Sequence, residues 1–391
     1  MVKNFKYLSY FFFIFTELVI QIQFMSVAAM SRKVVRFKNN LHEEFNKTLN
    51  QRVNQYFKSS KNGRYANWEM ITKTIFMFAL YFVPYFMFLL GIVESIWIFY
   101  LMAFLMGLGK AGIGLSVMHD ANHGAYSRKK WVNNLVGYSL NLVGANATNW
   151  KIQHNVKHHT YTNVSGMDED ISPKGGILRF DPNSPVKPHH KWQHIYAWFL
   201  YGLMTMSWIV VKDFSQLAEY TKDGMLKKQT KSVTKAWIWL ILTKVFYYSY
   251  ILALPILFTS LPWYHILLGF ILMHYVAGFS LACIFQPAHV MEDHSFESVE
   301  HTDTVEENWA VHQLKTTCNF AQKNKVLSWF AGGLNYQIEH HLFPNICHVH
   351  YRKISKIVKA TAEEYNIPYR SYPTFMSALV SHGKMLHSLG R

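Results

Sequence analysis

The sequence predicts an all-α integral membrane protein: four transmembrane helices arranged as two hairpins, with a cytoplasmic helical cap. Three observations lead there. Half of the 391 residues are hydrophobic, yet the apolar residues gather into runs too long for ordinary soluble helices. Four of those runs pair off around short tips that carry no Lys or Arg. The segments outside the pairs hold the basic surplus, a formal net charge of +16, as expected of loops facing anionic lipid on the cytoplasmic side.

Residues 1–73 read as an N-terminal segment and 74–391 as a single domain. The stretch 8–29 is largely apolar and ends in SVAA before the basic SRK, as a signal peptide or weak anchor would. Glu17, Gln21 and Gln23 interrupt it and weigh against both. The basic run Ser31 to Lys38 favours a third reading, an upstream start codon with Met25 or Met30 as the true beginning. Leu41, Phe45, Leu49, Val53 and Phe57 then recur every four residues after Asn40, predicting an amphipathic helix over 41–58. Its apolar stripe suits a partner face, a membrane surface or plain core.

The first hairpin pairs 74–92 with 95–117 around Gly91 and Glu94. The second pairs 236–259 with 263–285 through Ser260, Leu261 and Pro262. Each run reaches the ~20 residues a bilayer requires. Between them, Ile195 to Val211 is apolar over 17 residues, at the lower limit for a span. A crossing there would put the histidines after 285 on the opposite side from those of 118–160. An interfacial or buried helix is expected instead. No tandem repeat or Pro/Ser linker divides the chain. Cys283, Cys318 and Cys347 form no CxxC and read as reduced thiols. No basic stripe with interleaved aromatics stands clear of the apolar runs, which excludes nucleic acid as the obvious partner.

Seven of the 21 histidines fall in three dense clusters outside the expected spans. His119-Asp-Ala-Asn-His123 places two imidazoles on one helix face, ~5–6 Å apart at Cβ. His154-Asn-Val-Lys-His158-His159 repeats the i, i+4 pair, and His159 lies about 100° round the helix, which suits a bridge between two metal centres. In Gln337-Ile-Glu-His340-His341 the histidines flank the row set by Gln337. Each cluster alone also fits surface or packed histidines. Together they show helical ligand spacing just beyond membrane segments on one side. Imidazole suits iron, zinc or copper, and seven ligands exceed what one ion takes. Two ions are therefore expected.

HDANH, HNVKHH and QIEHH, in this order and interleaved with two hydrophobic hairpins, resemble the three histidine boxes of membrane fatty acid desaturases. HHTYTNVSGMDEDI and GGLNYQIEHHLFPNICHVHY extend the resemblance, which runs from about residue 70 to the C-terminus. A third box opening with Gln is similar to the front-end group (delta-6, delta-5 and linoleoyl-CoA desaturase-like). The resemblance implies a cytoplasmic cap holding a non-haem di-iron site, two iron ions that activate O2 and remove two hydrogens from a methylene pair. It implies His119, His123, His154, His158, His159, His340 and His341 as ligands, His289 in FQPAHVMED as a further one, and Gln337 as a ligand or a holder of water. Asp120, Asp168, Asp170 and Glu339 are candidates to accept the free ring N–H of ligand imidazoles, or else are solvated surface acids. The substrate would be a fatty acyl chain on CoA or phospholipid, in an apolar tunnel lined by the spans and 195–211. No HPGG haem motif occurs, so the implied electron donor is a separate cytochrome b5, or a ferredoxin with its reductase.

The remaining histidines are expected to be surface or packing residues: His189, His190, His194, His294, His301, His312, His382 and His387. His348 and His350 lie beyond the Phe343–Pro344 stop, off the helix of the third box. His274, inside the fourth span, is a candidate tunnel or imidazole-orienting residue. The glycosylation patterns at Asn46, Asn146 and Asn163 are expected to stay unmodified. Two other functions compete: another histidine-box oxygenase, such as an alkane or sterol hydroxylase or a ketolase, and a metal transporter. The second would place ligands inside the spans.

Overall fold

Hydrocarbon offers a backbone no water to bond, so apolar runs fold as helices whose amides are satisfied internally. The computed structural model describes residues 35–58, 63–172, 175–299 and 302–391. The readings of 1–30 and of His301 lie outside them. Two short parallel pairings staple distant loops: β1 (Arg36–Phe37) with β2 (Thr304–Val305), and β3 (Asn319–Phe320) with β4 (Ser371–Tyr372).

Helix α1 (Glu43–Lys58) buries Phe45, Leu49, Val53 and Phe57. They enter one apolar cluster with Ile354, Val358 and Ala362, which settles the amphipathic stripe as core. Leu41 falls ahead of the helix and is exposed.

Among the described residues, four helices are long and apolar enough to cross a membrane: α2 (Trp68–Leu89), α3 (Ile96–Asn122), α7 (Val233–Phe258) and α8 (Trp263–Ala288). Their starts follow local chemistry. Asn67 caps α2 by accepting from Met70 N, and Ser232 caps α7 by accepting from Lys235 N; α2 therefore begins six residues earlier than expected. Helix α3 is gripped on two sides. A Cβ on Gly109 would lie 2.7 Å from Tyr81 N of α2, and one on Gly107 2.7 Å from Met273 O of α8. Small residues at such contacts let helices approach closely in lipid, where packing rather than hydrophobicity drives association. Large apolar side chains such as Trp97, Leu101, Leu242 and Phe246 remain exposed on the outer faces, as lipid contact requires.

The expected single helix over 195–211 is broken. It belongs to two helices, α5 (Pro188–Gly202) and α6 (Met204–Lys222), bent by 60°. The break falls where α8 crowds the chain. A Cβ on Gly202 would meet the Tyr275 ring at 2.2 Å, and one on Gly278 would meet Gly202 O at 2.6 Å. Ala197, Tyr201, Thr205 and Ile209 face inward while Ile195, Phe199 and Val211 are exposed. The pair is thus half-buried; counted as one broken span it would bring the candidate spans to five.

Candidate metal centre

Helix α3 continues past the expected end at 117, through a π-helical stretch Ile113–Val117, and finishes at Asn122. His119 therefore lies in the last turn of a candidate span rather than beyond it, and His123 caps that turn. The second box also departs from expectation. Helix α4 (Lys151–His158) is π-helical, and a π-helix bonds i to i+5. His154 Nε2 lies 3.2 Å from His159 Nε2, its i+5 neighbour, while His158 shares one ligand group with His154 and Asp170 and another with His289 and His341. The third box forms α10 (Gln337–Leu342), fully buried, which ends before Pro344.

The boxes converge into two groups, with all ligand atoms in each within 4.8 Å of one another: His119, His123, His154 and His340 in one, and His158, His289 and His341 in the other. His119 Nε2 stands 3.1 Å from His154 Nε2. His159 touches both groups, with Nε2 3.0 Å from His340 Nε2 and its ring stacked at 4.3 Å on His341. His289 comes from the turn that follows α8, and its ring lies 4.6 Å from that of His158.

These side chains are buried yet unsatisfied. His123 Nε2, His158 Nε2, His159 Nδ1, both nitrogens of His289, His341 Nε2 and both amide atoms of Gln337 have no hydrogen-bond partner. A buried polar atom left unpaired costs about 1–3 kcal/mol. Unpaired imidazole nitrogens whose ligand atoms lie within 4.8 Å of one another fit a bound cation. Burial, reinforced by neighbouring histidines, holds the pKa values of His154, His159, His289, His340 and His341 well below the ordinary imidazole value. Neutral imidazole is the form that ligates metal. His158 is the exception: burial opposes its charged form, but Asp168 and Asp170 outweigh burial and raise its pKa.

The carboxylate candidates divide. Asp168 accepts from His158 Nδ1 at 3.1 Å and Asp170 lies 3.3 Å from the same atom, so both orient an imidazole. Asp120 does not. Its carboxylate accepts from His348 Nδ1 at 2.8 Å and from His348 N, and Lys73 Nζ lies 2.6 Å from the far nitrogen of that ring. Glu339 touches no histidine: it accepts from Asn319 and the Tyr369 hydroxyl, and burial lifts its pKa to about 8. A side chain one position from a ligand points away from it on a helix, which disqualifies both. Two orienting residues went unread in the sequence. Gln313 accepts from His341 Nδ1 at 2.8 Å, and the Tyr351 hydroxyl lies 3.2 Å from His340 Nδ1. Neither carries a spacing signal, because each reaches its histidine from another helix: Gln313 from α9 (Trp309–Thr316) and Tyr351 from the first turn of α11 (Tyr351–Glu364).

The other histidines pack or bond to backbone. His294, His312, His350 and His382 face carbonyl oxygens of His289, Thr162, Tyr65 and Val290. His274 lies between Thr205 and Tyr247 and touches no box histidine. Asn146 and Asn163 are buried, so neither is accessible to a glycosyltransferase.

A cavity of about 450 Å³ leads to the first histidine group, within the range of ligand sites, roughly 300–1,000 Å³. Its lining includes the exposed Ser172, Ser207 and Val211 as well as His119, His154 and Trp150. Its walls are mainly apolar and include Leu200, Met204, Trp208 and Ile209 of the broken α5–α6 pair.

Residues 95–373 match the family model described as fatty acid desaturase. The chain is 36% identical over 350 residues to an acyl-lipid (8-3)-desaturase of Physcomitrium patens, covering 89% of this chain and 72% of that one. It is 32% identical to an sn-1 linoleoyl-lipid 6-desaturase of Arthrospira platensis, over 88% of this chain and 92% of the relative. To the enzyme of that name from Synechocystis it is 31% identical, over 91% and 98% respectively.

Proposed function

We propose that this chain, which belongs to the fatty acid desaturase family, introduces a double bond near the carboxyl side of an acyl chain by O2-dependent chemistry at two non-haem irons. As a family member it is an oxidoreductase acting on fatty acyl chains. The finer reading rests on one observation: two buried groups of imidazoles with unpaired nitrogens converge beside an apolar cavity.

In this reading His119, His123, His154 and His340 hold one iron, His158, His289 and His341 the other, and His159 lies between them. Gln337, at the start of the third-box helix with both amide atoms buried and unpaired, serves as ligand or anchor of a bound water. Iron, when bound, supplies the one-electron and O2 steps. The chain's own residues do the rest. Asp168, Asp170, Gln313 and Tyr351 fix ring orientations from outside. The apolar cavity admits the acyl tail and excludes bulk water, while its mouth leaves the carrier head group outside. The net reaction removes two hydrogens from adjacent methylenes and reduces O2 to two waters with two electrons and two protons. The electrons come from a separate cytochrome b5, or a ferredoxin with its reductase. The acyl carrier is CoA or a glycerolipid, and the names of the relatives favour the lipid. The four spans form two hairpins, with the α5–α6 pair at the interface, so that all boxes share the cytoplasmic side.

Expression with a reductase system, followed by gas chromatography–mass spectrometry of cellular fatty acids, tests this. A new double bond toward the carboxyl end of C16–C20 chains is expected. No new bond with any of these substrates overturns the reading, and a hydroxylated product replaces it with a histidine-box hydroxylase.

A further inference from the structure

Helix α3 gives the cavity one continuous wall: His119 and Met118 beside the histidines, Leu115 and Gly114 a turn deeper, and Lys110 a turn deeper again. No α3 residue before Lys110 reaches the cavity. At Gly114 the wall has no side chain, and a Cβ there would come within 3.3 Å of Leu281 Cδ2, a neighbouring lining residue. Lys110 is the earliest α3 residue on this wall. Its ammonium is drawn sideways into a polar pocket, donating to Val143 O at 2.7 Å and to the Tyr247 hydroxyl at 3.2 Å, with His274 Nε2 at 3.3 Å. A lysine whose head is anchored elsewhere presents its methylene stem as apolar surface. Here three partners hold the head of a side chain that lines the cavity. An ionisable side chain inside a span is a candidate functional residue by default.

We infer that Lys110 is the specificity-determining floor of the acyl cavity, setting how many carbons lie on the methyl side of the reacting pair. The inference rests on the acyl-chain reading of the cavity given above. The depth follows from the helix. Lys110 lies nine residues below His119, and a helix rises ~1.5 Å per residue, a drop of roughly 13 Å. A tetrahedral carbon chain with ~1.5 Å bonds advances roughly 1.3 Å per carbon, so about ten carbons fit below the histidines. In an 18-carbon chain, that tail length places the new bond on the carboxyl side of the middle.

The test is the chain-length profile of wild type, Lys110→Ala, Lys110→Met and Gly114→Ala, fed C16, C18 and C20 acyl substrates in cells and read by mass spectrometry. Lys110→Ala opens the floor, and the C20-to-C18 product ratio is expected to rise on the order of tenfold, the worth of two further buried methylenes. Lys110→Met keeps the stem without the charge and should hold the wild-type ratio. Gly114→Ala narrows the cavity above the floor and should move preference toward C16. It also keeps the inference testable if Lys110→Ala fails to accumulate, since its shift reads the same wall. An unchanged profile in an active Lys110→Ala enzyme overturns the inference. So does the same shift in Lys110→Met and Lys110→Ala, or an unchanged profile in an active Gly114→Ala enzyme. A wild-type chain that desaturates none of these substrates overturns the acyl-chain reading itself, a distinct result.

Discussion

Two buried polar layers lie one above the other in this protein and are built on opposite terms. In the upper layer, five histidines and Gln337 leave buried ring nitrogens and amide atoms unpaired. In the lower layer the ionisable side chains and tyrosine hydroxyls are matched. Lys244 reaches Asp213 and the Gly144 and Trp208 carbonyl oxygens. His274 has a partner at each nitrogen, and the Tyr81 and Tyr250 hydroxyls meet at 2.9 Å. Both layers cost desolvation. Only the lower one is offset by the protein's own hydrogen bonds. The upper layer holds its polar atoms in reserve for something external, while the lower one holds helices together. Unpaired amide oxygens and single imidazole nitrogens also occur elsewhere, at Asn149, Asn335 and His294 for example, but scattered one by one.

The comparison can be broken from either side. The largest effect is expected from His340→Ala, which should abolish desaturation and lower bound iron, measured by metal analysis, while shifting the melting temperature little. Retained activity would remove His340 from the site. Lys244→Met should do the reverse. It strands the Asp213 carboxylate in a dry interior, a loss of roughly 3–5 kcal/mol, seen as a lower unfolding midpoint in detergent, with unchanged iron content in the protein that remains folded. If instead iron is lost before stability, the two layers are not separable. Asp168→Asn keeps shape but weakens the hold on His158, and iron affinity should fall ~10–100-fold, read by competition with a chelator.

The smallest effect is expected at Glu339. Burial raises its carboxyl to about 8, against the hydrogen bonds from Asn319 and Tyr369, so it folds protonated near neutral pH. A folded-state pKa above the unfolded ~4.3 means the folded chain binds more protons between those values. Its stability contribution is full below that window and declines as pH rises through it. Glu339→Gln should leave activity nearly unchanged and flatten the fall of melting temperature between pH 5 and 8. A steeper fall in the variant would show that the carboxyl is charged in the folded state.

The four apolar runs, the amphipathic register of α1 and the three histidine boxes were legible in the sequence, because each depends on neighbours along the chain. Hydrophobic length sets a span and a four-residue repeat sets a helix face, whatever the remainder of the fold does. What the sequence did not carry was every relation made across the fold. The π-helical turn of α4, which brings His154 to His159, its i+5 neighbour, is invisible to a rule built on 3.6 residues per turn. The break at Gly202 is imposed by Tyr275 and Gly278 of α8. Asp120 and Glu339 sit beside ligands in the chain but point away from them, while Gln313 and Tyr351 reach His341 and His340 from other helices. Local pattern determined which residues could bind metal. Only tertiary packing decided how they divide into two groups, which side chains orient them and where the cavity ends, because those are distances between segments that the chain brings together only when folded.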